Sequence, residues 1–253
     1  MLIAEVGLNH LGSISSANVL LDAAIFSEAD AVTFQVREKS FYEKEKFANM
    51  QLSLELYKDL CKEVHKYKKK FGIALSDLTM LDKFEAMNVD FYKILSKDLK
   101  NDNFLKLLGS KTKKDLYLST GLASTSAISK ALKILKNNNV TLIHTRLSNK
   151  VEDANLKAIN TMKENFKNNI AYGHHCDNLN VLIAAQTFEP SDVFFYIRGN
   201  KPVTYPDHDH AIPTDVLKYY ITNIKIIEKA LGDGVKLEGK NKIKGQIWKK
   251  QLF

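Results

Sequence analysis

One pattern constrains this chain more than any other: a short apolar run followed by an amphipathic stretch, repeated eight times with no linker between repeats. The runs are LIAEVGL (2–8), AVTFQV (31–36), GIALS (72–76), FYKIL (91–95), DLYLS (115–119), VTLIH (140–144), IAYG (170–173) and DVFFYI (192–197). Between them the apolar residues fall at helical spacing. SSANVLLDAAIFSEA opens on serines suited to capping, and in LSLELYKDLCKEVHKYKKK the residues Leu56, Leu60, Val64 and Tyr67 recur on one face. Apolar strands alternating with helices imply a parallel sheet covered by helices, and eight such units are the number that closes a barrel. The expected architecture is α/β, a TIM (β/α)8 barrel over residues 1–240 with a C-terminal tail over 241–253. An open doubly wound sheet is the alternative.

Composition narrows the function. At 253 residues, 45% hydrophobic and 26% charged, the chain has enough apolar side chains for a large core. The net charge of +8 comes from lysines spread along helical segments such as KEVHKYKKK, with no aromatic-basic recognition motif, so nucleic acid is not an expected partner. Such a surplus also suits anionic small molecules. Two distant cysteines, Cys61 and Cys176, imply no disulfide framework, and the N-terminal MLIAEVGLNHLG is neither a signal peptide nor a membrane span. The expected setting is cytoplasmic, away from membranes.

In a barrel of this kind the chemistry sits on the loops that follow the strands. Six of the seven histidines fall there: His10, His144, His174, His175, His208 and His210, leaving only His65 in a helix. The same rim carries Glu5, Gln35, Ser76, Asp77, Lys93, Ser96, Asp98, Ser119 and Thr120. Imidazoles beside carboxylates suit a divalent metal. An inward lysine beside serines suits a phosphate or carboxylate. A structural alternative for Lys93 is simple neutralisation of Glu5 inside the barrel.

IAEVGLNHLG, ADAVTFQ, FYKILSKD, LYLSTGLAS, VEDANLKAI, YGHHCDNLNV and PDHDHA, in this order and down to IEKALGDG, resemble the sialic acid synthases (N-acetylneuraminate synthases) over nearly the whole chain. The resemblance implies a barrel enzyme, a transferase that condenses phosphoenolpyruvate with the open aldehyde form of an N-acetylated amino sugar. Phosphate is released, and the product serves nonulosonic acid and surface carbohydrate biosynthesis. It implies manganese or magnesium as cofactor, and a homodimer. Carried over by position, Glu5, Lys93 and Asp98 are the catalytic candidates. Gln35, Ser96, Ser119, Asn149 and Asp207 are candidates for substrate contacts, and His175 is the first metal histidine.

The chain also departs from the family pattern. Thr33 stands where the family has a lysine in the second strand, and Ile197 aligns with the second metal histidine. LSNKV replaces an AsnTyrPro segment, and residue 241 lies about where the family's antifreeze-like domain would begin. The expected repair brings His208 or His210, with Asp207, over the rim to complete the metal shell of His175, while Arg198 supplies the missing positive charge. A metal-independent enzyme, or a non-catalytic homologue that binds a sugar or a partner protein, is the competing expectation.

Overall fold

Each of the eight expected strands forms and pairs parallel with the next. The computed structural model describes residues 1–236, so the tail expected over 241–253 lies outside the described residues. The strands are β1 (Leu2–Gly7), β2 (Ala31–Val36), β3 (Lys70–Leu75), β4 (Phe91–Ile94), β5 (Asp115–Ser119), β6 (Val140–Thr145), β7 (Ile170–Gly173) and β8 (Val193–Arg198). β1 also pairs with β8, from Leu2 opposite Val193 to Glu5 opposite Tyr196, which closes the sheet into a barrel and rules out the open doubly wound alternative. A two-residue strand, β9 (Ile212–Pro213), adds to the far end of β8.

The helices are α1 (Ile14–Phe26), α2 (Lys39–Tyr42), α3 (Leu54–Lys66), α4 (Leu81–Ala86), α5 (Asp102–Lys111), α6 (Thr125–Ile134), α7 (Ala158–Asn165), α8 (Leu179–Ala184) and α9 (Leu217–Leu231). Several start where a short polar side chain accepts from a free backbone N–H of the first turn: Ser13 before α1, Ser53 before α3, Asn101 before α5 and Ser124 before α6. The buried face of α3 is Tyr57, Leu60, Cys61 and Val64. Tyr67, expected on that face, instead follows the last turn, where it is exposed and meets Phe26 edge-on. No helix among the described residues is long and apolar enough to cross a membrane.

Period-two alternation splits the strand residues between two cores. The larger lies between sheet and helices and holds Ala4, Phe34, Ile73, Tyr92, Leu118, Leu142, Tyr172 and Ile197. The smaller fills the barrel itself, with Ile3, Ala31, Phe91, Tyr117, Ile143, Ala171 and Phe194. Three of its rings, Phe91, Tyr117 and Phe194, pack edge to face at 5.1 and 5.0 Å, so the barrel is plugged and its polar chemistry is confined to one end.

Candidate active site

Two residues beyond six of the seven members of that plug, toward the C-terminal end, the inward position changes character; the exception is Ala171, followed by Gly173. Ile3 gives way to Glu5, Ala31 to Thr33, Phe91 to Lys93, Tyr117 to Ser119, Ile143 to Thr145 and Phe194 to Tyr196. At the centre the Lys93 ammonium donates to both oxygens of Glu5, at 2.6 and 2.5 Å, with the two residues 4% and 2% exposed. The same nitrogen lies 5.1 Å over the Phe194 ring and 5.6 Å over the Tyr196 ring, so the pair rests on an aromatic floor.

Above it opens a cavity of about 180 Å³ whose polar lining is Arg37, Lys93, Ser96, Lys97, Ser119 and His175. Lys93 therefore both neutralises Glu5 and faces the cavity. Arg37 and Lys97 share one counter-ion: Glu38 accepts from Arg37 Nε and Nη2 at 3.1 and 3.2 Å and lies 3.5 Å from Lys97 Nζ. Burial works against the Glu38 charge, but the hydrogen bonds and cations pull its carboxyl down to about 2.

The loop after β8 covers the other side. Asn9 accepts from the Asp207 backbone N–H at 3.1 Å and donates to the Ile197 carbonyl at 2.8 Å, which pins that loop over β1. Gly7 is required beneath it: its φ is +55°, and a β-carbon there would lie 2.8 Å from Tyr196 Cε1 and 3.1 Å from Asp207 Oδ2. Burial, aided by the charge of Glu5, pushes Asp207 up to about 7. His210 Nε2 stands 3.8 Å from Asp207 Oδ1, and the His210 ring packs on His175 at 4.6 Å and on Tyr196 at 5.0 Å. Desolvation lowers His210 to about 4 and holds His175 well below its ordinary value, so both imidazoles are neutral at pH 7.

The expected site residues do not all converge. Glu5, Lys93, Ser96, Ser119 and His175 meet at the cavity and its base, with Asp207 above Glu5. Thr33 and Gln35 follow the same inward parity on β2. Asp98, expected beside Lys93 as a catalytic group, has both oxygens engaged elsewhere: Ser76 donates to one at 2.8 Å and Lys97 to the other at 2.9 Å. It ties the end of β3 to the turn after β4. Asn149 donates to Asp209 on an exposed loop, and Arg198 donates to the carbonyl of its neighbour Gly199 beside Tyr205. Arg37, rather than Arg198, is the arginine that lines the cavity. Sequence reading missed Arg37 and Tyr196; both continue the inward parity of their strands, Thr33–Gln35–Arg37 and Phe194–Tyr196, which was the available signal.

The donors present do not make the expected metal shell. His208 is exposed and stacks on Tyr205, so the loop histidine that reaches His175 is His210. Ile197 points outward into the helix-covered core, and Tyr196 holds the inward position beside it. Within YGHHCDN the two imidazoles diverge: His174 turns outward, where Tyr172 Oη lies 3.2 Å from its Nδ1 and burial lowers it to about 3, while His175 turns in. Among the described residues no three His, Cys, Asp or Glu side chains are placed to hold an ion together.

Comparison with known proteins places this geometry. Residues 20–236 match the NeuB family. The N,N'-diacetyllegionaminic acid synthase of Campylobacter jejuni is 30% identical over 96% of this chain and 81% of its own length. An uncharacterised protein of Methanocaldococcus jannaschii is 32% identical over 93% of this chain and 73% of its own. Among solved structures, the sialic acid synthetase of Leptospira borgpetersenii, determined with citrate, superposes with a TM-score of 0.85 at 25% identity, covering 95% of this chain and 87% of that one. With a match over most of its length, a closed (β/α)8 barrel and polar residues gathered at the C-terminal rim, the chain belongs to the NeuB family of synthases.

Proposed function

We propose that this barrel condenses phosphoenolpyruvate with the aldehyde form of an N-acylated amino sugar, giving a nonulosonic acid and inorganic phosphate. The observation that carries the reading is the buried Lys93–Glu5 pair at the base of a cavity that also presents Arg37, Lys97, Ser96 and Ser119. Such a set of fixed cations and hydroxyls suits a small molecule bearing a carboxylate and a phosphate. Glu5 holds the Lys93 side chain in place at the base of the cavity. The methylene carbon of phosphoenolpyruvate attacks the aldehyde carbon, whose oxygen takes a proton; water, giving up a proton, adds at the phosphate-bearing carbon, and the tetrahedral intermediate collapses to the ketone with loss of its hydroxyl proton as the carbon–oxygen bond to phosphate breaks.

Asp207 is the group suited to supply that proton. Its carboxyl lies beside the mouth over Gly7, and raised to about 7 it is still half protonated at neutral pH. Turnover should therefore fall as pH rises above about 7, and Asp207→Asn should remove that limb along with most of the rate.

The test is phosphate release from phosphoenolpyruvate with a panel of N-acetylated and N,N'-diacetylated amino sugars, with and without manganese. Release that depends on the sugar and is lost in Lys93→Met supports the reading; release unchanged in that variant sinks it. The second reading is a sugar-binding homologue without turnover, favoured by Thr33 in place of a lysine and by the incomplete metal shell. Sugar binding without phosphate release, under any metal, selects it.

A further inference from the structure

A second cavity, of about 320 Å³, opens on the flank of the barrel between α6 and α7, back to back with the mouth. The two share the turn after β5: Ser119 faces the mouth, and Thr120 faces the flank. The flank cavity presents Arg146, Lys157, Asn155, Thr125 and Thr161, and neither Asp nor Glu lines it. Its deep wall is His144, whose Nε2 donates to the Ala154 carbonyl at 3.0 Å. Ile128, Met162 and Phe166 form an apolar side.

Arginine is scarce here. Of the 37 Lys and Arg residues only Arg37, Arg146 and Arg198 are arginines, and all three stand at the C-terminal end of a strand, after β2, after β6 and closing β8. A chain that meets its general need for positive charge with lysine carries the planar, five-donor guanidinium only at the strand ends. Arg37 is matched by Glu38, and Arg198 Nη1 by the Gly199 carbonyl, although Arg198 Nε is itself buried without a hydrogen-bond partner among the described residues. Arg146 makes no salt bridge among the described residues, and its Nε is buried with no hydrogen-bond partner there. A buried donor in a cavity lined by two cations and no carboxylate is short of an acceptor.

We infer that the flank cavity is an anion site separate from the barrel mouth, taking a small organic anion: one phosphate or carboxylate held by Arg146 and Lys157, with a short apolar body against Ile128, Met162 and Phe166. This does not depend on the reaction proposed for the mouth.

With three arginines in the chain, the Nε–H region of a proton–nitrogen correlation spectrum holds three signals, each assignable by the corresponding Arg→Lys variant. Inorganic phosphate and phenyl phosphate are titrated into the full chain. The expected result is a saturable shift of the Arg146 signal that persists in Arg37→Lys, tightens at least fivefold from phosphate to phenyl phosphate, and weakens at least threefold in Lys157→Gln, a change at an exposed residue. Acetate and butyrate then show whether a carboxylate serves as well as a phosphate. An Arg146 signal unmoved by either phosphate overturns the flank site, whatever Arg37 does. So does a linear, unsaturating drift of all three signals, which is charge screening. Arg37 unmoved by phosphoenolpyruvate while Arg146 responds would leave the flank site standing and remove the anion role of the mouth.

Discussion

The barrel interior holds two adjacent sets of inward residues on the same strands, only two positions apart, and they could hardly differ more. Toward the N-terminal ends, Ile3, Phe91, Tyr117, Ile143 and Phe194 form a dry plug; toward the C-terminal ends, Lys93, Ser119 and Tyr196 line a cavity, with Glu5 and Thr145 buried in the same layer. One step of the strand repeat turns a packing layer into a reactive one. The plug needs only shape and volume, whereas the upper set contains a desolvated ion pair whose members are tolerable only together. The largest predicted effect follows from that. Lys93→Met leaves Glu5 buried and unpaired, and should cost about 3–5 kcal/mol of stability together with nearly all phosphate release. Pairing it with Glu5→Leu should recover most of the stability in denaturant unfolding and none of the turnover. A double variant as unstable as the single one would mean that the upper layer does not behave as an ion pair set on a plug.

The reverse experiment sits one layer down. Phe194→Ala opens a hole beneath Lys93 and beside Tyr117, and a buried Phe→Ala change costs about 3–5 kcal/mol. Its expected signature is lower stability with the substrate KM of the folded fraction changed less than about threefold, since no polar group is lost. A KM that rises tenfold or more would show that the plug also sets the height of the ammonium.

How much of this was legible beforehand divides along the same line. The strands, their inward parity and the closure of the barrel were readable because period-two alternation and eight repeats are local signals. Lys93, Glu5, Ser119 and His175 could be placed on the rim for the same reason. Which loop side chains reach them was not. Residues 206 to 210 read PDHDH, and nothing in that string says that Asn9, nearly two hundred positions away, anchors Asp207 so that His210 rather than His208 packs on His175. Asp98 was misplaced for a related reason: its partners Ser76 and Lys97 lie on the two sides of a strand-end junction that sequence spacing does not reveal. Ile197, expected at the rim, points into the outer core, and its neighbour Tyr196 takes the inward position; one residue along a strand is enough to exchange the two faces.

Burial at the upper end also has an acid signature that the plug lacks. Desolvation holds His10 and His210 near 4, His174 near 3 and His175 well below its ordinary value, so each is neutral in the fold and protonates on unfolding below about pH 6.5. Their contribution to stability is complete above that pH and is lost as the pH falls toward the folded values. Asp207 acts in the opposite sense: raised to about 7, it keeps its proton in the fold while the unfolded chain releases it above about 4, so its contribution declines as pH rises from about 4 to 7. With four imidazoles against one carboxyl, unfolding at pH 5.5 should take up at least about two protons net, a loss of about 2.7 kcal/mol per pH unit. Unfolding midpoints flat between pH 5 and 6.5 would mean that these rings are already protonated in the folded protein.

The smallest expected effect tests where the reactive layer stops. Asn149, a candidate substrate contact by resemblance, lies on an exposed loop with its amide given to Asp209, outside the lining of the mouth. If the site is confined to the inward strand positions and the loop that holds Asp207, Asn149→Ala should change stability by less than about 0.5 kcal/mol and the acceptor KM by less than about twofold. A tenfold rise in acceptor KM with an unchanged KM for phosphoenolpyruvate would place Asn149 against the bound sugar after all. The loop after β6 would then swing inward over the acceptor, and the contrast between a fixed plug and a fixed reactive layer would give way to a reactive layer finished only by its substrate.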